Sequence, residues 1–140
     1  MRYDTEEKIS ELYYTCRHSY FKEYALKTPR FHSGSSLHDI GWIRKIGDDV
    51  CIGMSKMYDL DENIAIDVMS HEIVHYILMK QGEKNWKEHN EKFLTLAGQI
   101  NEKFGLKIEA KKDVSPTYED TSLTSCTLSK LFDKIKSYLF

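Results

Sequence analysis

Apolar residues recur at Ile9, Leu12, Tyr13, Cys16, Tyr20, Tyr24 and Leu26, mostly three or four apart, which predicts a helix from Thr5 to about Lys27. Thr5, followed by Glu6 and Glu7, suits its start, and Pro29 ends it by disfavouring helical geometry at Thr28. The pattern then shortens. Glycines at 34, 41, 47 and 53 divide the stretch from Arg30 to Ser55. Within it, "WIRKI" and "VCIGM" are brief runs of β-formers joined by "GDD", a hairpin signal. "RFHSGSS" is a candidate third strand, weakened by Gly34 and its serines.

Helical spacing returns from Asp61 to Gln81 through Ile64, Val68, Ile73, Ile77 and Leu78. Asp61 and Glu62 favour the positive end of the helix dipole, and Gly82 stops the helix. A further helix is predicted from about Asn85 to Phe104, with Trp86, His89, Phe93, Leu96, Ala97, Ile100 and Phe104 on one stripe. After Lys112 the chain turns polar and reads as a loop of about 15 residues. The end, "LSKLFDKIKSYLF", carries Leu128, Leu131, Phe132, Ile135, Tyr138 and Leu139 at helical spacing, predicting an amphipathic helix that docks on the domain or on a partner. The expected fold is α+β, with a small sheet of about three strands, antiparallel or mixed, packed on helices.

Composition narrows the class. The 140 residues suit one compact domain. Hydrophobic residues at 41% and charged residues at 30% are ordinary globular proportions, and a net charge of −2 argues against a protein built to hold nucleic acid through phosphates. No apolar run approaches the roughly 18 residues of a spanning helix. The charged opening "MRYDTEEKIS" and three scattered cysteines, Cys16, Cys51 and Cys126, predict a cytoplasmic protein with reduced thiols.

One short run carries chemistry. "HEIVH" places His71 and His75 four apart on the predicted helix, where both rings point the same way and can share one zinc ion. Glu72, offset around the helix, can reach a water on that ion without being a ligand and act as general base. With six histidines and twelve glutamates, random order gives this pattern in about 2% of shuffled chains, so the match needs support from its surroundings. Catalytic zinc takes a third protein ligand and keeps a fourth position for water. Glu83, Glu88, His89 and Glu91 are the downstream candidates. A histidine on an apolar stripe is more often a core residue. With the motif 14 residues upstream and a turn at "QGEKN" between, His89 is the preferred ligand.

Together these residues resemble the SprT-like family, which includes the Spartan-type proteases. In "HEIVHYILMKQGEKNWKEHNEKF", His71, Glu72, His75, His89 and Phe93 stand where that family has its HExxH motif and its following histidine and phenylalanine. "CIGMSKMYD" is similar to the strand preceding the motif helix. The resemblance covers roughly residues 31 to 106, and its specificity lies in the combination. It implies a zincin-like metallopeptidase domain over residues 1–110, followed by a polar loop and closing helix over 111–140. It further implies one zinc ion held by His71, His75 and His89, with Glu72 catalytic. The implied substrates are proteins or peptides, one of which would pair with "VCIGMS" as an added strand. Three departures limit it: Glu88-His89-Asn90 replaces the family's Gly-His-Gly, no cysteine-rich ribbon follows, and no DNA-binding part is evident.

Other readings stay open at this point. An ImmA/IrrE-like metallopeptidase would use an acidic third ligand, Glu88 or Glu91. A zinc-stabilised binding module without catalysis would have no need of Glu72. A third reading has no metal at all. Tyr58, Tyr76, His38 and Tyr118 are candidate donors to a developing oxyanion. Residues 111–127 are a candidate lid or inhibitory segment.

Overall fold

The computed structural model describes residues 1–117, so Tyr118, Cys126 and the expected closing helix lie outside the described residues. The order of elements is α1 (Glu6–Tyr20), β1 (Arg30–Gly34), β2 (Gly41–Ile46), β3 (Asp49–Ser55), α2 (Glu62–Lys80) and α3 (Glu91–Phe104). The three strands form one mixed sheet in the order β1-β3-β2, with β1 parallel and β2 antiparallel to β3. The class is α+β, as expected.

The β2–β3 hairpin closes through Gly47 and Asp48, with Ile46 opposite Asp49. Gly47 has φ 61 and no non-glycine residue among those described has positive φ, so the positive-φ position falls on the first turn residue, as a type II′ turn requires. Phe31, Ile52 and Ile43 share one face of the sheet, where Ile52 and Ile43 join the core built around α2. α2 is buried almost all round from Asp67 to Leu78, which makes it the central helix. No helix among the described residues is long and apolar enough to cross a membrane.

Two helix boundaries differ from those expected. α1 ends at Tyr20 rather than near Lys27. Phe21 leaves helical geometry with φ −128 and is fully buried, while its N–H donates to the Arg17 carbonyl and the Arg17 guanidinium donates to the Phe21 carbonyl at 3.2 Å. Tyr24 and Leu26 still pack on the core, so their apolar spacing reports burial and not helix. α3 starts at Glu91 rather than near Asn85. Asn90 caps it by accepting the Phe93 N–H at 3.2 Å. Upstream, the Asn85 and Trp86 carbonyls are occupied by the Glu88 N–H and by a histidine ring. His89 therefore lies in a turn ahead of α3, not on its stripe.

After Gly105 the chain runs back along α2. Lys112 pairs with Asp67 at 2.9 Å, Val114 packs on the core, and the Thr117 N–H donates to Met57 at 2.8 Å. Residues 111–117 are thus tied to the same packed unit.

Candidate metal centre

Helical spacing on α2 sets His71 and His75 side by side, and the turn before α3 brings His89 to them. Their Nε2 atoms form a nearly equilateral triangle: 3.1 Å between His71 and His75, 3.2 Å between His75 and His89, and 3.1 Å between His89 and His71. Among the described residues no Cys, Asp or Glu completes this group. The three histidines singled out in the sequence converge. Glu83, Glu88 and Glu91 do not join them.

The other ring nitrogens show what the triangle means. His71 donates from Nδ1 to the Glu109 carbonyl at 2.7 Å, and His75 donates from Nδ1 to the Trp86 carbonyl at 2.7 Å. A carbonyl can only accept, so Nδ1 carries the proton in both rings and Nε2 carries a lone pair. Burial holds both rings neutral. It pulls the His71 pKa down to about 3, helped by the neighbouring His75 ring, and that of His75 to about 4. His89 is lowered as well, by burial and by Lys111. Two lone pairs therefore face each other at 3.1 Å with no hydrogen between them. That contact is repulsive unless a cation sits among the three nitrogens.

The donor set and its spacing fit such a cation. Imidazole nitrogen suits zinc, copper, nickel and iron. A tetrahedral zinc with Zn–N near 2.0–2.1 Å sets its nitrogens about 3.3–3.4 Å apart, so this triangle would open by only a few tenths of an ångström. Phe93 supports it from below: its buried ring lies 4.8, 4.6 and 4.9 Å from the rings of His71, His75 and His89.

Glu72 stands just off the triangle, its Oε1 4.0 Å from His71 Nε2. It is only 6% exposed, and burial, with Asp39 adding its charge, pushes its pKa up to about 8. Glu72 and the histidines line one cavity of about 650 Å³. Residues 38–43 line it together with Asp67, Val68, His71, Glu72 and His75 of α2 and residues 107 and 109–114.

The structure corrects the expectation that "VCIGMS" offers an edge to a peptide. It is β3, paired on both sides, and has no free edge. The strand beside the cavity is β2, whose outer side has no partner strand among the described residues. Of the candidate oxyanion donors, Tyr58 donates to Leu37 at 3.0 Å and Tyr76 to Lys27 at 2.6 Å, and neither lines the cavity. His38 does line it. The acceptors from Trp86 and Glu109 could not be read in advance, because they are main-chain oxygens and carry no residue signature.

No family model matches the chain, and no curated protein matches it.

Proposed function

We propose that this chain is a zinc-dependent metallopeptidase of zincin-like, SprT-like character, hydrolysing peptide bonds in protein or peptide substrates. The observation that carries this reading is the convergence of three Nε2 atoms, two of them carrying lone pairs fixed by Nδ1 hydrogen bonds, next to a buried carboxyl in a substrate-sized cavity. His71, His75 and His89 would hold the ion. When bound, zinc supplies Lewis acidity toward a carbonyl and lowers the pKa of water. Glu72 takes a proton from the attacking water and delivers it to the departing amine. His38 is the donor we assign to the developing oxyanion, since it shares the cavity with Glu72.

An extended substrate would pair with the free edge of β2. The Ser55 N–H donates to Ile40, so residues 40 and 55 form a hydrogen-bonded pair. Alternation along the ladder then turns the main-chain groups of Gly41, Ile43 and Lys45 outward. A scaffold role is the weaker reading, because a structural zinc site is normally closed by four protein ligands. Here the described residues offer three and a neighbouring carboxyl.

The test is metal analysis of the purified chain together with casein or peptide cleavage. About one zinc per chain, and cleavage that is lost on chelation and restored by zinc, would establish the activity. A chain that binds no zinc would end this reading.

A further inference from the structure

The segment behind α3 forms a closed loop around one carbonyl oxygen. Asp67 lies one helical turn before His71 on α2, so both face the same way. Its two carboxylate oxygens are spent on the two ends of the loop. Oδ1 accepts the Lys107 N–H at 3.1 Å, and Oδ2 accepts from Lys112 Nζ at 2.9 Å. Lys112 also donates to the Lys107 carbonyl at 2.9 Å, which closes residues 107–112 into a ring. Asn101 braces the same stretch from α3, accepting the Ile108 N–H at 2.8 Å and donating to the Ile108 carbonyl at 3.0 Å. At the middle stands Glu109, whose carbonyl accepts from His71 Nδ1.

We infer that Asp67 and Lys112 are positioning residues for the metal centre: their ion pair holds the 107–112 loop so that the Glu109 carbonyl fixes the His71 ring with Nε2 toward the ion. The inference rests on the metallopeptidase reading and deepens it. The pair is well shielded, with Lys112 17% and Asp67 10% exposed. A shielded ion pair is a weak source of net stability, because desolvation offsets most of its attraction. Its value lies in geometry. Charge-assisted bonds to both loop ends leave the central carbonyl one place to be. Hydrogen-bond partners of metal-bound histidines typically govern metal affinity by 10–100-fold.

Zinc retention against a competing chelator is compared in the wild type, Lys112→Met and Lys112→Arg. Melting of each metal-free form serves as the folding control, and ¹⁵N spectra of the histidine rings report the His71 tautomer. Lys112→Met is expected to release zinc at least about tenfold more readily while remaining folded, with part of the His71 signal moving to the Nε2–H tautomer. Lys112→Arg, which keeps the charge, is expected to restore both. Should Lys112→Met fail to fold, Asp67→Asn keeps shape and an acceptor while removing the charge, and the same loss is expected. Wild-type zinc retention and tautomer in a folded Lys112→Met or Asp67→Asn would overturn the inference and leave the metallopeptidase reading standing. Absence of zinc binding by the wild type would remove both.

Discussion

His75 donates through Nδ1 to the main-chain oxygen of Trp86 at 2.7 Å, so one prospective metal ligand holds the turn that carries another, His89, three residues later. This bond ties the turn that carries the third ligand to α2. His89→Ala is therefore expected to drop bound zinc from about one ion per chain to near none, whereas Glu88→Ala and Glu91→Ala should retain it. Full zinc in His89→Ala would refute the ligand assignment, and loss in Glu88→Ala alone would favour an acidic third ligand.

Glu72→Gln is expected to keep zinc and to lower peptide cleavage by at least about 10²-fold, the usual scale for losing a general base. The same change should stabilise the metal-free protein. With the folded pKa of Glu72 near 8 against an ordinary 4.5, the folded state holds a proton that the unfolded chain has released, so wild-type stability falls as pH rises from 4.5 to 8. The gain for Gln is about 3 kcal/mol at pH 7 and is absent below pH 4.5. Denaturant unfolding of chelated protein at pH 4.5 and 7 measures it, and equal gains at both would contradict the burial argument.

The histidines titrate in the opposite sense. Folded values near 3 and 4 for His71 and His75 mean that the unfolded chain takes up protons below about pH 6.5 while the folded one does not. The histidine contribution to the stability of the metal-free protein should then be lost as pH drops, by about 2 kcal/mol per pH unit between 6 and 5. The Glu72→Gln background shows this without the opposing carboxyl. His71→Ala should roughly halve the slope.

The Trp42 indole covers Gly53, where a Cβ would stand 2.1 Å from its Nε1 and Cε2. Gly53→Ala should cost about 1–3 kcal/mol as the ring is pushed off the sheet. In a Trp42→Ala background the cost should fall below about 1 kcal/mol, which a double-mutant cycle reads directly. An undiminished cost would place the strain in the backbone instead.

If substrates pair with β2, methylating the peptide nitrogens that face Gly41 and Ile43 should slow cleavage by about tenfold or more. Methylating the intervening nitrogens should matter far less. A peptide series with one N-methyl group moved along the chain tests this. Uniform sensitivity would exclude edge pairing.

Much of this architecture was readable in the order of residues. The α2 boundaries, Asp61 at its start and Gln81 at its end, follow from local capping and spacing, and the "GDD" hairpin from local turn chemistry. At Tyr24, Leu26 and Trp86 the apolar spacing predicts helix beyond its true ends, whereas irregular chain packs these residues on the core. Apolar periodicity records contact with the interior, and hydrogen bonding determines whether helix carries it. The arrangement β1-β3-β2, which makes β2 and not "VCIGMS" the edge strand beside the cavity among the described residues, depends on long-range pairing that no local pattern encodes.

Residue order alone gives the α+β class and the motif helix and singles out His71, Glu72 and His75, because spacing on one helix is a local property, whereas His89 is singled out only by its nearness along the chain to that motif. Only folding supplied the carbonyls of Trp86 and Glu109, which set the ring tautomers, and the Asp67–Lys112 bond that ties the second of them down. Main-chain oxygens are identical in every residue. Which of them meets an imidazole is settled by how distant segments pack, so the pattern names the prospective ligands while the packed chain aims them.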